Sequence, residues 1–250
     1  MSRGGAASRR PKIRLFVAAD LAADATVEAD AAQAHYLGHV MRLCAGDEVA
    51  LFNGRDGEWR ATLGEVGRRR TSLIVDRPVR AQAAGPDLWL LFAPIKRARL
   101  DFVAEKATEL GVAALVPVLT RRTQASRVNV ERLRANAVEA AEQCGRLTVP
   151  EVRAPVALDR LLADWPAGRR LMFCDESGAA PPAGAALGGA DGGAWAVLIG
   201  PEGGFDPDER AAVREKAEAM AVGLGPRTLR AETAVVAALT LWQAHLGDWR

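Results

Sequence analysis

LIGPEGGFDPDE, residues 198–209, is the stretch on which the reading of this chain turns. An apolar run ends at Ile199, glycines follow at 200, 203 and 204, and Asp206-Pro207-Asp208-Glu209 begins a helix. Asp206 is a helix cap, Pro207 suits the first helical position, and Glu209 sits three residues after the cap. The pattern is therefore strand, glycine-rich loop, helix. Glycine lets backbone approach a ligand without side-chain clash, and the carboxyl ends of strands are where open α/β sheets bind ligands. The loop is not GxGxxG, and it lacks the Lys-Ser/Thr of a phosphate-binding loop.

Working outward, WLLFAPI (89–95), AALVPVL (113–119), RLMFCD (170–175), AWAVLIG (194–200) and AVGLG (221–225) have the composition of buried strands. Helical patterns lie between and after them at 99–110, at 129–145 with Asn129 as cap, at 207–220 and at 231–246. Strand and helix in alternation predict an α/β domain, a mostly parallel sheet with helices on both faces. Residues 176–193, rich in Gly, Ala and Pro, read as a mobile loop. Toward the N-terminus the rhythm is different. IRLFVAA (13–19), EVALFNG (48–54), EWRATLGEV (58–66) and TSLIVDRPV (71–79) are short strands separated by turn residues, which predicts a small barrel. A helix is expected over 32–43, a linker at 81–87 and a loose basic tail at 1–11.

Composition bounds the partners. With 250 residues the chain is one large domain or two modest ones, and 33 basic against 31 acidic residues leave a formal charge of +2. Bulk charge therefore excludes a protein that coats nucleic acid and names no partner. Lysine occurs only at 12, 96, 106 and 216, so arginine supplies almost all the positive charge. A GC-rich genome explains most of that bias, and arginine chosen for phosphate or planar-base contacts explains the rest. Cys44, Cys144 and Cys174 are odd in number and far apart, indicating neither a disulfide framework nor a zinc site. A reducing, cytoplasmic setting fits, and no apolar stretch reaches the ~18 residues of a membrane span.

Four further groups carry potential chemistry. LGPRTLRAETAVVAAL (224–239) is a second glycine turn leading into a helix, with Arg230, Glu232 and Thr233 at its start. A glutamate there ordinarily complements the helix dipole, but two glycine turns after two strands of one sheet can together wall a pocket. In KRARLDFVAEKATELG (96–111), Arg99, Phe102, Val103, Lys106, Glu109 and Leu110 fall in one arc expected to face the core. Lys106 then either pairs internally with Glu109 or meets substrate. Arg121, Arg122 and Arg127 form a charged loop that is either solvated or bound to phosphate. His35 and His39, at i and i+4, are read as packing and not as metal ligands, and Arg68, Arg69 and Arg70 form a basic edge that faces either RNA or solvent.

Six ordered blocks, HYLGHVMRLCAGDEV (35–49), KRARLDFVAEKATELGV (96–112), RRTQASR (121–127), ERLRANAVEAAEQCGR (131–146), LIGPEGGFDPDE (198–209) and LGPRTLRAETA (224–234), resemble the ribosomal RNA small subunit methyltransferase E family of the SPOUT superfamily. The resemblance runs from about residue 12 to the end. It implies an enzyme that uses S-adenosyl-L-methionine to methylate N3 of one uridine in 16S ribosomal RNA of the small ribosomal subunit. It also implies a PUA-like RNA-binding β-barrel over 12–80, a SPOUT α/β domain with a deep trefoil knot over 88–250, and a homodimer whose second subunit completes the pocket. By position the cofactor would lie against Phe173-Cys174, Gly200-Pro201-Glu202-Gly203, and Leu224-Gly225 through Leu229. The long Gly/Ala-rich stretch at 178–193 and the arginine-rich tail depart from the family and touch no motif.

The chemistry so implied assigns roles. Uracil N3 keeps its proton at neutral pH, so methylation needs that proton accepted and the resulting charge held. Arg230 is expected to hold the O2 or O4 oxyanion and Glu232 to take the proton, directly or through water. Transfer is one displacement and needs no metal. Arg68, Arg69, Arg70, Arg99, Arg121, Arg122 and Arg146 are expected on the RNA backbone. Two rivals are a non-catalytic RNA-binding module, disfavoured by the paired glycine turns, and a nucleotide-dependent oxidoreductase or kinase, disfavoured by the missing phosphate-loop motifs.

Overall fold

In the computed structural model, residues 11–67, 70–124 and 127–249 are described. The chain divides into two units, one running through Ala84 and including Ala141–Thr148, the other comprising Gly85–Ala140 and Val149 onward.

The first unit contains β1 (Arg14–Phe16), β2 (Thr26–Ala29), α1 (Ala31–His35), a π-helical turn (Tyr36–Val40), β3 (Glu48–Phe52), β4 (Glu58–Val66) and β5 (Thr71–Arg80). They form a five-stranded sheet in the order β1-β3-β4-β5-β2, with β1 parallel to β3 and the other pairs antiparallel. Alternation puts Leu15, Val49, Leu51, Ala61, Leu63, Leu73 and Val75 into one apolar core. β2 was not expected; its TVEA contributes only two inward residues, Val27 and Ala29, too few to register as a pattern. The helix expected over 32–43 is instead one α-turn, closed by an Asp30–Gln33 capping box, that widens to π geometry. Apolar spacing over a single turn does not distinguish i→i+4 from i→i+5 bonding.

Arg14 organises this unit. Its guanidinium is buried, donates to Glu58 at 2.8 Å and to the carbonyls of Ala141, Glu142 and Arg146 at 2.6, 2.9 and 2.7 Å, and lies over the Phe52 ring. The amide of Phe16 donates to Glu142, and Arg80 donates to the carbonyl of Gly145. These bonds tie residues 141–148 to strands far away in sequence. Arg14→Ala leaves Glu58 charged and buried, and should cost about 3–5 kcal/mol of stability. The check is the denaturant midpoint, with partial recovery expected when Glu58→Gln is added.

The second unit contains β6 (Leu88–Phe92), α2 (Arg97–Glu109), β7 (Ala114–Leu119), α3 (Val130–Cys144, its last residues belonging to the first unit), β8 (Glu151–Val152), β9 (Val156–Ala157), α4 (Leu158–Ala163), β10 (Arg170–Cys174), α5 (Ala183–Leu187), β11 (Trp195–Ile199), α6 (Pro207–Arg214), β12 (Ala219–Val222) and α7 (Ala231–Leu246). Seven strands pair in parallel, in the order β12-β10-β11-β6-β7-β8, with β9 also on β7. Every residue of β11 is buried, as a strand covered on both faces requires. One apolar cluster holds Leu90, Val103, Ala107, Val197 and Leu239, and another holds Leu91, Val116, Phe173, Leu198 and Phe205.

Three expectations change here. The helix over 207–220 stops at Arg214, because Ala219 already pairs with Leu171 in the sheet. The stretch 176–193 is not simply a loop: α5 buries Ala183 and Leu187, and Pro182 bridges Gly223. On α2 the inward arc is Leu100, Val103, Ala104 and Ala107, leaving Phe102 40% exposed. Lys106 does pair with Glu109 at 2.8 Å, and also with Glu105 at 2.6 Å, but in a half-exposed position and not internally. Among the described residues no helix is long and apolar enough to cross a membrane.

Candidate functional site

β10 lies between β11 and β12, with Phe173 opposite Leu198 and Cys174 opposite Val222. The carboxyl ends of three parallel strands are thereby side by side, and the turns that leave them enclose a cavity of about 660 Å³. Its wall comprises Cys174 to Glu176 after β10, Ile199 to Glu202 after β11, and Gly223 to Ala231 after β12. Gly178, Ala180, Pro182, Gly204 and Ala234 complete it. Much of this wall is glycine, alanine and proline, so the lining is largely backbone. At Gly225 φ is +107°, and a Cβ would enter open space. At Gly204, with φ +68°, a Cβ would lie 2.6 Å from Glu176 Oε1.

Arginine–carboxylate pairs hold the turns. Asp175 accepts from Arg214 Nε at 2.8 Å and Nη2 at 2.5 Å, and from the amide of Ser177 at 2.9 Å. Burial alone would raise its carboxyl, but the Ser177 and Arg214 hydrogen bonds outweigh that and hold it below the ordinary carboxylate value. Glu176 pairs with Arg210 and accepts from the amide of Phe205 at 2.9 Å, which fastens the glycine loop to the end of β10. On the other side of the loop, Arg121 donates to Asp206 at 2.7 Å and Asp208 at 2.8 Å, and Arg122 to the carbonyl of Gly203 at 3.1 Å. Arg99 pairs with Glu202, and its Nε lies 3.5 Å from Glu232 Oε1. Three separated motifs thus meet at one guanidinium.

Of the residues expected on the cofactor, Cys174, Gly200, Pro201, Glu202, Leu224, Gly225 and Leu229 line the cavity. Phe173 does not: its ring is fully buried edge-on against Phe205, because alternation along β10 turns it into the core. Gly203 faces a neighbouring cleft. Arg230 lines the cavity as the N-cap of α7, whereas Glu232 lines neither hollow, and its Oε2 is buried without a hydrogen-bond partner. Sequence reasoning missed Asp175, Glu176 and the contribution of 178–182, which it had set apart from every motif; the pairing of Gly223 with Pro182 brings that segment in.

The arginines expected on RNA are scattered. Arg99, Arg121 and Arg122 are engaged by the carboxylates and carbonyl just named. Arg146 donates to Thr148 in the first unit. Arg70 is exposed, while Arg68 and Arg69 lie outside the described residues. His35 and His39 stack at 4.8 Å, and among the described residues no group of three His, Cys, Asp or Glu side chains could hold a metal.

Residues 83–243 match the family described as RNA methyltransferase domain, and residues 29–76 match the RNA methyltransferase PUA domain. The ribosomal RNA small subunit methyltransferase E of Rickettsia conorii is 31% identical, over 90% of this chain and 93% of its own length. That of a Synechocystis strain is 34% identical over 93% of this chain and 78% of its own. The crystal structure of a ribosomal RNA small subunit methyltransferase E from Neisseria gonorrhoeae, bound to S-adenosyl methionine, superposes with a TM-score of 0.85 at 27% identity, covering 95% of this chain and 99% of that one.

Because Asp175 is held below its unfolded value, it contributes stability that is present above about pH 4 and lost as pH falls through the folded value. Asp175→Asn should therefore lower the urea midpoint at pH 7 and flatten its fall on the acid side. A pH series of unfolding curves for both proteins checks this.

Proposed function

The chain belongs to the ribosomal RNA small subunit methyltransferase E family, and from that premise we propose that it is an S-adenosylmethionine-dependent methyltransferase acting on N3 of a uridine in 16S ribosomal RNA. The observation that carries the proposal is the backbone-lined cavity at the ends of β10, β11 and β12. Its 660 Å³ suits a small organic ligand. Arg227 lines it as a cation that suits a ligand carboxylate, while Asp175, Glu176 and Glu202 line it already paired with Arg214, Arg210 and Arg99. The turns at Gly200-Pro201 and Leu224 to Leu229 would hold the cofactor through their backbone groups.

When bound, S-adenosylmethionine supplies a methyl group on a positively charged sulfur. The chain's own task is to present uracil N3 and manage its proton. Arg230, at the cavity wall, holds the charge that develops on O2 or O4. Glu232 has an unpartnered carboxylate oxygen, which accepts the N3 proton through water because the side chain itself is set back from the cavity. Arg99 positions Glu232 and Glu202 together. The same reading takes 12–80 as the PUA-like RNA-binding domain and 88–250 as the knotted SPOUT domain. It also makes the working form a homodimer, with its pocket completed across the interface, that meets the small ribosomal subunit in the cytoplasm.

Nucleoside mass spectrometry of 16S RNA tests the activity: 3-methyluridine should be absent from a strain lacking the gene and return on complementation, and its persistence in the deletion strain would refute the assignment. Gly225→Val places a branched side chain at φ +107°, a backbone conformation that it strains, in a turn that lines the cavity. It should weaken S-adenosylmethionine binding by at least roughly tenfold by calorimetry. Arg230→Ala and Glu232→Gln should each slow single-turnover methyl transfer by about 10²-fold while leaving cofactor affinity nearly unchanged.

A further inference from the structure

Beside the cofactor cavity lies a second hollow, a cleft of about 870 Å³ between the start of α2, the start of α3 and the glycine loop. Pro201 and Glu202 belong to the walls of both. The cleft is therefore adjacent to the cavity in which the methyl donor is proposed to sit, and the inference rests on that proposal.

The lining is composite. Ile95, Leu100 and Leu133, each under 10% exposed, make an apolar floor. Two amides, Gln124 and Asn129, stand at the wall; Asn129 Oδ1 already accepts from the amide of Arg132, which leaves its NH₂ as a donor. The charges sort by whether they are already used. Arg132 is bound to Asp101 at 2.7 and 2.6 Å, Arg122 to Gly203, and Glu202 to Arg99. Among the described residues of the cleft wall, the Lys96 ammonium, the Arg127 guanidinium and the Glu131 carboxylate have no hydrogen bond or ion pair, so two free cations stand against one free anion. Lys96 and Arg127 are exposed and line the cleft but not the cofactor cavity. Lys96 is one of only four lysines in a chain that otherwise uses arginine.

An apolar floor for a base, amides for its edge and two uncommitted cations for the flanking charge are the requirements of a single-stranded nucleotide segment. We propose that this cleft holds the acceptor strand of the RNA, with the target base on Ile95, Leu100 and Leu133 against Pro201-Glu202 and the flanking phosphates on Lys96 and Arg127. RNA affinity near the catalytic cavity then comes from Lys96 and Arg127, and not from Arg99, Arg121 and Arg122, which shape the loop.

The test uses the full chain and small ribosomal subunits purified from a strain lacking the gene. Binding is measured by filter retention over a series of KCl concentrations, and S-adenosylmethionine binding by calorimetry. The Lys96→Ala/Arg127→Ala double variant should bind subunits roughly tenfold more weakly, and its salt slope should flatten by about 1.4, the value for two single-strand phosphates. Its cofactor affinity and melting temperature should stay those of the parent. Arg160→Ala removes one exposed charge outside the cleft and should leave the slope unchanged. Parent-like binding and slope in the double variant would overturn the cleft assignment, as would an equal loss in Arg160→Ala. Failure of the parent protein to bind S-adenosylmethionine or to methylate these subunits would instead overturn the proposed activity, and the cleft with it.

Discussion

Everything at the site depends on the parallel pairing of β10 with β11 on one side and β12 on the other. Parallel strands end at the same edge, so the register that sets Phe173 against Leu198 and Cys174 against Val222 also sets three turns around one hollow. A slip of one residue would exchange the two faces of β10, taking Phe173 away from Phe205 and Cys174 out of the cavity wall, because successive strand residues face opposite sides. The buried faces forbid that slip. Phe173 is locked against Phe205, and β11 has no exposed residue to trade.

Three turns rich in glycine and alanine cost conformational entropy to order, and small side chains bury little area to offset it. The structure answers with charge pairs placed around the loop. Glu176 and Arg210, Asp175 and Arg214, Arg121 with Asp206 and Asp208, and Arg99 with Glu202 each tie a turn to a helix or to another turn. Several are partly exposed and individually weak. Their effect is geometric, since a planar guanidinium with several donors fixes the direction of approach. The abundance of arginine in this chain thus has a local use even where genomic composition set the total.

Much of this was legible in the sequence. The twelve-residue stretch at 198–209 declared its turn and its helix cap, and the cap forms as read, with Asp206 and Glu209 bonding reciprocally. β4 and α7 fall where the pattern put them. The failures have physical reasons. α2 presents Leu100, Val103, Ala104 and Ala107 to the core; an arc built around Lys106 was displaced because alanine carries little apolar weight yet packs well. The stretch at 176–193 looked inert because glycine and alanine show no periodicity, while its role rests on a backbone pairing with Gly223 that no local pattern records.

By itself the sequence determined the class of the molecule: an α/β unit with glycine turns at strand ends, a smaller strand-rich unit before it, and the family whose motifs these are. Local patterns suffice for that, because strand alternation, helix caps and glycine turns act within a few residues of one another. Only the tertiary structure decided which charges are spent and which are free. Arg99 meets Glu202 and Glu232 across more than a hundred residues of chain, and Arg121 and Arg122 are absorbed by the loop they flank. Lys96 and Arg127, the latter read in sequence as one of three equivalent loop arginines, are left uncommitted beside the cavity. Charge can be counted along a chain, but whether it is already neutralised depends on which distant partner the fold brings within hydrogen-bonding distance.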